Sequence, residues 1–441
     1  MTKVQSNKLQ GFKRFIQQAN FNFYCGPAPS IQYSLGIDLV NLATLHDGLK
    51  KTLLFILCTT LILYFGNFVF AYGNAQTLLY FSAFFFLIYA ACHAKQIKEL
   101  LFRREYALLF IGASILATMG AFPLTEPLAN KRFFFNIVYF VSLCLTIQIL
   151  LEQLPKHLLK KIGLFFLLFL IFSCLFNLYY VVRLDSISGY FSNQHFLAQL
   201  CLISLPIFIF HFFHKPHTGS YLIGALLIAI VLYLLIITRS RPAWLAIAVT
   251  YISALLIFIP GYKRWGIAAG FIAALVILYF ALPSLVAEPV DELLLHFTQE
   301  ERIFIWKDAI TMQLSSTNGI QWIIGHGPGS YKDCFESYVT FRNFLHFPHN
   351  FILEVLFESG VIGLVVVCAL YACFFALIFR TYKHTKTQKL QLIRLYVLAS
   401  SFLFFAFFTL PFYSKHVILL QSFFIAYMLN THYESSRKIS R

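Results

Sequence analysis

The sequence predicts an all-α polytopic membrane protein of about twelve transmembrane helices with one large extracytoplasmic loop. Three observations lead there. Hydrophobic residues make up 59% of the 441 positions and charged residues only 12%. The apolar residues gather in repeated runs of about 20, long enough to cross a hydrocarbon core of about 30 Å as helix. The lysines and arginines fall in the short polar segments between those runs and favour alternate ones, as a fixed membrane orientation requires. A soluble chain of this length would divide into about three domains, and a formal charge of +16 would by itself suit a nucleic-acid binder. The distribution argues against both, because the basic residues follow topology and form no continuous basic face.

The expected spans lie near residues 52–72, 76–93, 106–122, 133–151, 162–182, 194–213, 219–237, 242–260, 265–283, 350–379, 391–410 and 412–430. The first 50 residues are polar to weakly amphipathic with no cleavable signal pattern, so the first span reads as a retained anchor. With the N-terminus placed in the cytoplasm, cytoplasmic segments hold 24 of the 34 lysines and arginines and the opposite side holds 10. Both termini are therefore expected in the cytoplasm, and the long loop outside. The expected organisation is a cytoplasmic segment at 1–51, spans one to nine within 52–283, a loop domain at 284–349, spans ten to twelve within 350–430, and a tail at 431–441.

Of the nine cysteines, Cys58, Cys92, Cys144, Cys174, Cys201, Cys368 and Cys373 fall within apolar runs, Cys25 is on the cytoplasmic side, and Cys334 is in the long loop. One external thiol cannot build an intramolecular disulfide framework, and no metal-type Cys/His spacing appears.

Basic residues on the external side oppose the orientation bias, which makes them informative. Five of the ten lie in three short loops: Lys131 and Arg132 between spans three and four, Arg183 between five and six, and Arg239 and Arg241 between seven and eight. Pro242 fits the first turn of a helix, so Arg239 and Arg241 belong at the N-terminal mouth of span eight. A helix N-terminus favours anions, and the guanidinium fork matches phosphate oxygens. The alternative is that these side chains snorkel to anchor their helices at the headgroup level. Together the five cations suit a diphosphate held in the outer leaflet.

The long loop carries an acidic patch, Glu288, Asp291, Glu292, Glu300 and Glu301, then a segment with helical spacing from Arg302 through Trp306 to Met312. Gly325-His326-Gly327-Pro328-Gly329 follows and reads as a tight backbone bend, being neither a Walker motif nor a dinucleotide fingerprint. Arg302 has two readings, a phosphate or sugar ligand or the partner of a nearby glutamate. The loop ends in His346-Phe-Pro348-His349-Asn350, with Glu354 and Glu358 one and two turns deeper on one face of span ten. Ionisable groups at a bilayer edge are a functional hypothesis by default. Pro348 places His349 in the first turn of span ten, where the positive end of the helix dipole favours a neutral imidazole. That suits a general base. His195 reads as a loop or interface residue.

These segments resemble the O-antigen ligase and polymerase superfamily of bacterial membrane glycosyltransferases. Ser240-Arg241-Pro242-Ala243-Trp244 is similar to that family's Ser-Arg-Gly motif at the start of a span, with Pro242-Ala243 where many relatives carry glycine. Arg302 to Trp306 followed by the glycine turn resembles its arginine/tryptophan helix and bend. His349-Asn350 with Glu354, Glu358 and Gly360 resembles its His-Asn loop end. The resemblance implies a GT-C-like architecture and a site on the periplasmic face of the inner membrane. The implied reaction is transfer of a glycan from undecaprenyl diphosphate to an acceptor hydroxyl. Direct attack would invert the anomeric centre, and since the external loops lack an Asp-x-Asp pair or other hard-cation cluster, no metal or cofactor is expected.

In that reading His349, Arg241 and Arg302 are catalytic, and Arg239, Arg241, Lys131, Arg132 and Arg183 bind the diphosphate. His346, Asn350, Glu354 and Glu358 support them. The expected partners are the lipid-linked glycan, lipid A–core as acceptor, and membrane lipids, with no nucleic acid. A single large external loop favours the ligase over the polymerase, and the short tail disfavours a protein-directed oligosaccharyltransferase. A transporter of lipid-linked glycans would carry its charged groups near the bilayer midplane, whereas here they gather at one face.

Overall fold

The structure is a computed structural model that describes residues 48–60, 62–63, 75–101, 103, 109, 111–113, 115–116, 127–191, 193–213, 218–281, 291, 301–315, 319–327, 330–331, 348–385, 388–409 and 415–439. The chain divides into two compact units, Met1–Leu53 and Leu54–Arg441. In the first, residues 48–53 are helical. The second is helical among its described residues, with no strand. Its elements are α1 (Ala75–Cys92), α2 (Ala94–Leu101), α3 (Pro127–Gln153), α4 (Lys156–Leu184), α5 (Gln194–Phe212), α6 (Thr218–Ile237) and α7 (Arg241–Phe258). They continue with α8 (Lys263–Ala281), α9 (Glu301–Ser315), α10 (Gly319–Ile324), α11 (Phe351–His384), α12 (Lys389–Thr409) and α13 (Lys415–Ile439).

Among the described residues seven helical stretches are long and apolar enough to cross a membrane: Asn136–Gln153, Lys156–Leu184, Gln194–Phe212, Gly219–Ile237, Arg241–Phe258, Phe351–His384 and Lys389–Thr409. They correspond to expected spans four to eight, ten and eleven. Helices also occupy the expected second, ninth and twelfth positions as α1, α8 and α13. Of the first expected span residues 52–60 and 62–63 are described, all helical, and the third falls largely outside the described residues.

The arrangement of these helices follows from their composition. The spans of α3, α5 and α12 are each 61% buried, whereas those of α4, α6 and α11, which are more apolar, are only 22–28% buried. This is the order a bilayer imposes, because lipid tails solvate Leu and Phe as well as protein does, so the helices carrying polar groups take the centre. The main core is built by α5, α6, α7, α12 and α13 around Leu197, Phe208, Val231, Ala246, Phe402 and Phe405. α3 packs along α13, and α7 along α12. One end of the bundle is tied by polar contacts: Arg103 pairs with Glu152 at 2.6 Å, Thr381 meets His432 at 2.9 Å, and Arg394 donates to the Phe210 carbonyl at 3.0 Å.

The helix starts at the other end are set by local side chains. Asn193 caps α5, its carboxamide oxygen accepting from the His195 amide at 2.8 Å. Pro242 occupies the first turn of α7, as the sequence implied. Asn350 caps α11 by accepting from the amides of Ile352 and Leu353 at 3.1 and 3.3 Å. The loop between α4 and α5 is anchored from within the bundle. Asn177, buried in α4, accepts from the Tyr190 amide at 2.9 Å and donates to the Ser173 carbonyl at 2.9 Å.

Asn177→Leu keeps the volume but leaves the Tyr190 amide without its acceptor. It is expected to cost about 1–3 kcal/mol, read as a lower thermal midpoint in detergent. An unchanged midpoint would show that this bond does not hold the loop.

Candidate active site at one end of the bundle

Four elements converge at this end. α9 supplies Arg302 and Trp306. The Trp306 indole N–H donates to the Pro348 carbonyl at 3.1 Å, and its ring lies 6.0 Å from that of Phe408 at the end of α12. The bond fixes the residue immediately before His349. Phe407 packs edge-on against Phe351 at 5.3 Å, and Phe405 lies 6.3 Å from the ring of His195. The last turn of α12 is thus an aromatic floor for the polar groups above it.

His349 does not sit in the first turn of α11, contrary to the expectation. Asn350 takes the cap position, and His349 precedes it with a left-handed backbone, φ 49°. The reason is chemical: a carboxamide can satisfy the orphan amides of a first turn and an imidazole one residue earlier cannot. Asn350 is therefore a structural cap. The neutrality of His349 also has a different origin. Its pKa is lowered to about 4, first by burial and then by the positive charge of Arg302 and by His195. Three non-glycine residues have a positive φ among those described, Asp185, Arg239 and His349. All three lie at this end of the bundle, where conformations costing about 1–3 kcal/mol persist only under surrounding constraint.

The glycine-rich turn is the tight bend anticipated, and its partner is α11. That helix kinks at Gly360 (φ 62°, ψ −167°). The Phe357 and Glu358 carbonyls beside the kink accept from the amides of His326 and Gly327 at 2.9 and 3.0 Å. The approach admits no side chain. A Cβ on Gly325 would lie 2.3 Å from the Glu358 carbonyl oxygen, and one on Gly360 would lie 2.4 Å from that of Ile323. His326 stacks on Phe357 with ring centroids 4.2 Å apart, and its Nδ1 lies 3.2 Å from the Phe357 carbonyl. Burial lowers its pKa while that backbone contact raises it. This histidine belongs to the packing.

Glu354 and Glu358 are both buried, each 5% exposed. Glu354 and Asp308 both act on the buried Tyr331 hydroxyl, whose pKa is raised by burial first and then by these two carboxylates. This puts Glu354 on the side of α11 that faces α9 and the glycine turn. Arg241 opens α7 and is partly buried, while Arg239 in the preceding turn and Arg183 at the end of α4 are exposed. Lys131 and Arg132 lie near the start of α3, with side chains outside the described ones. His346, Ser192, Cys25, Cys334, Pro328 and Gly329 fall outside the described residues, as does most of the acidic patch. Among the described residues, no group of three or more His, Cys, Asp and Glu side chains is gathered as for a metal ion.

The structure brings together two residues that the sequence reading kept apart from this centre. His195, in the first turn of α5, lies beside His349 closely enough to act on it. Its Nδ1 is 3.4 Å from the Ser240 hydroxyl, which is buried at the start of α7. The signal that could have pointed there is positional: both residues open a helix at the same membrane face as His349.

Together these features define a polytopic α-helical membrane protein with a cationic, histidine-containing centre at one end of its bundle. Residues 225–368, a stretch that includes Arg241, Arg302 and His349, match the family model described as O-antigen ligase. The resemblance read from the motifs is borne out over this segment. No curated protein matches the chain.

Gly325→Ala forces a left-handed backbone and a clash with α11, and should lower stability by about 1–3 kcal/mol. Gly163→Ala in α4, where an added Cβ meets nothing within 4 Å, should leave the thermal midpoint unchanged or raise it. Equal midpoints for the two variants would refute the interlock of turn and kink.

Proposed function

We propose that the protein is an O-antigen ligase-like glycosyltransferase of the inner membrane. In this reading it moves a glycan from undecaprenyl diphosphate to a hydroxyl of lipid A–core, on the periplasmic face, with inversion and without a metal. The observation that carries the proposal is a buried His349, held before the Asn350 cap of α11 and subject to the charge of Arg302, within the family-matched segment at the end of the bundle where α5, α7 and α11 begin. The acceptor oxygen attacks the anomeric carbon as the bond from that carbon to the diphosphate oxygen breaks. The acceptor proton passes to His349. Undecaprenyl diphosphate leaves with the bonding pair, and its charge is stabilised by Arg241 and Arg302, with Arg239, Arg183, Lys131 and Arg132 nearby on the same face.

The lowered pKa of His349 suits this order of events. The unliganded imidazole is deprotonated at neutral pH. An arriving diphosphate opposes the charge of Arg302 and raises the proton affinity of the base as the substrate binds. Glu354 and Glu358 orient α11 against the loop. Asn350 follows the base and caps α11, and His346 is assigned a supporting role from its place in the sequence. The twelve-span topology, both termini in the cytoplasm and the loop domain at 284–349 belong to the same proposal.

His349→Ala is expected to reduce transfer from the lipid-linked glycan to purified lipid A–core by about 10²–10⁴-fold. Arg241→Ala should reduce it by a similar order, as for removal of a group that stabilises developing charge. Transfer unimpaired by His349→Ala would sink the base assignment. Transfer to a protein acceptor or to a growing glycan in place of lipid A–core would select the other activities of the superfamily. A chelator should leave the rate unchanged. The pH profile gives an independent check. A base whose pKa is depressed remains competent until the pH falls to that value, so the acid limb of kcat/KM, which reports the free enzyme, should fall near pH 4. An acid limb at about 6.5, the unperturbed histidine value, would contradict the buried, Arg302-facing placement.

A further inference from the structure

We infer that α5 supplies a hydrogen-bonding face for the lipid diphosphate, with His195 donating through Nε2–H to a phosphate oxygen and Gln199 extending that face inward. The inference rests on the proposed function for the identity of the ligand. Its geometry stands on separate observations.

The Ser240 hydroxyl is 1% exposed, and among the described residues its one partner is His195 Nδ1, at 3.4 Å. A hydroxyl has one proton to place and an imidazole nitrogen can accept it. If Nδ1 instead carried the proton and donated, the buried serine proton would be left without an acceptor. Ser240 therefore donates, Nδ1 accepts, and the ring proton resides on Nε2. The ring is held by the Phe405 contact at 6.3 Å and by the Asn193 cap on its own amide. His195 acts on His349, as Arg302 does. A fixed N–H donor consequently stands beside the base and its neighbouring cation.

The second observation lies one turn deeper. Gln199, four residues on and on the same face of α5, is 1% exposed, and neither its amide nitrogen nor its oxygen has a partner among the described residues. A buried carboxamide left unsatisfied costs about 1–3 kcal/mol, a cost that a ligand oxygen, or a water carried beneath it, would relieve. The two polar groups form a ladder from the bilayer edge inward. That suits a lipid-borne diphosphate, which enters from the membrane with its phosphates at the edge.

The test is binding of undecaprenyl diphosphate to the purified full-length protein by native mass spectrometry, with phosphatidylglycerol as the comparison lipid and inorganic diphosphate as the soluble arm. His195→Phe keeps an aromatic ring against Phe405 and removes the donor. It should weaken undecaprenyl diphosphate binding about ten- to a hundredfold. His195→Gln places an amide N–H near the former Nε2 and should restore most of the affinity, a rescue that a merely structural role would not give. Gln199→Leu should weaken binding severalfold without lowering the thermal midpoint of the ligand-free protein. If His195→Phe fails to fold, Ser240→Ala, which frees the tautomer, should still weaken binding severalfold.

Wild-type affinity in His195→Phe, or an equal loss in His195→Gln, would overturn the donor role. An equal loss of phosphatidylglycerol affinity would reassign the face to lipid headgroups in general, and retention of inorganic diphosphate alone would reassign it to a soluble anion. Both outcomes overturn the inference. A protein that binds undecaprenyl diphosphate through His195 but transfers no glycan would leave this inference standing and remove the proposed reaction.

Discussion

The arrangement of this end of the molecule depends on where the backbone hydrogen bonds of α11 go at Gly360. A helix that breaks near a bilayer strands carbonyl groups where water is scarce, and each stranded group costs several kcal/mol. Here the amides of His326 and Gly327 take the carbonyls of Phe357 and Glu358. The glycine turn is thus the missing hydrogen-bonding partner of a broken helix. Glycine is required on both sides because the backbones approach within the radius of a side chain. Once turn and kink are locked, α10 lies against α11 and α9 follows through a short connection, so Arg302 and Trp306 face the start of α11. The Trp306 bond to Pro348 then closes the frame around His349.

That frame explains why the electrostatics take the form they do. Burying an imidazole favours its neutral form, and a neighbouring guanidinium adds to the effect. A helix dipole would act in the same direction but more weakly, and His349 stands outside the helix it was expected to join. His349 is held in a left-handed backbone immediately before the capping asparagine. Burial, a nearby cation and a constrained backbone therefore act together. The same logic separates Glu354 from His349. Glu354 belongs with Tyr331 and Asp308, on the face of α11 turned toward α9 and the glycine turn.

Much of this was legible in the sequence because bilayers impose simple rules. Apolar runs marked the helices, Pro242 marked the start of α7, and the spacing from Arg302 to Met312 marked α9. The glycine turn was read as a bend, but its partner was not, since nothing in a linear chain couples Gly325 to Gly360. Asn350 reads from the sequence as a supporting residue, whereas the Ile352 and Leu353 amides, donating to its carboxamide oxygen, make it a cap; the pattern of an asparagine before an apolar run carries that signal. His195 reads from the sequence as a loop or interface residue. Its neighbours, Ser240 and Phe405, are 45 and 210 positions away, and only packing of α5 against α7 and α12 brings them together.

The two histidines differ in how far chemistry constrains them. A general base must hold a pKa within a useful range, so the residue type, its burial and the charge beside it are all demanded at once. A donor that positions a phosphate needs only an N–H in the right place, which an amide or another imidazole can supply equally well. The family match, spanning 225–368, includes His349 and the cations Arg241 and Arg302 but begins after His195. That division accords with the chemistry. The residues proposed for the demanding roles lie in the matched segment, and the donor proposed on α5 lies upstream of it, on a helix that packing brings to the same end of the bundle.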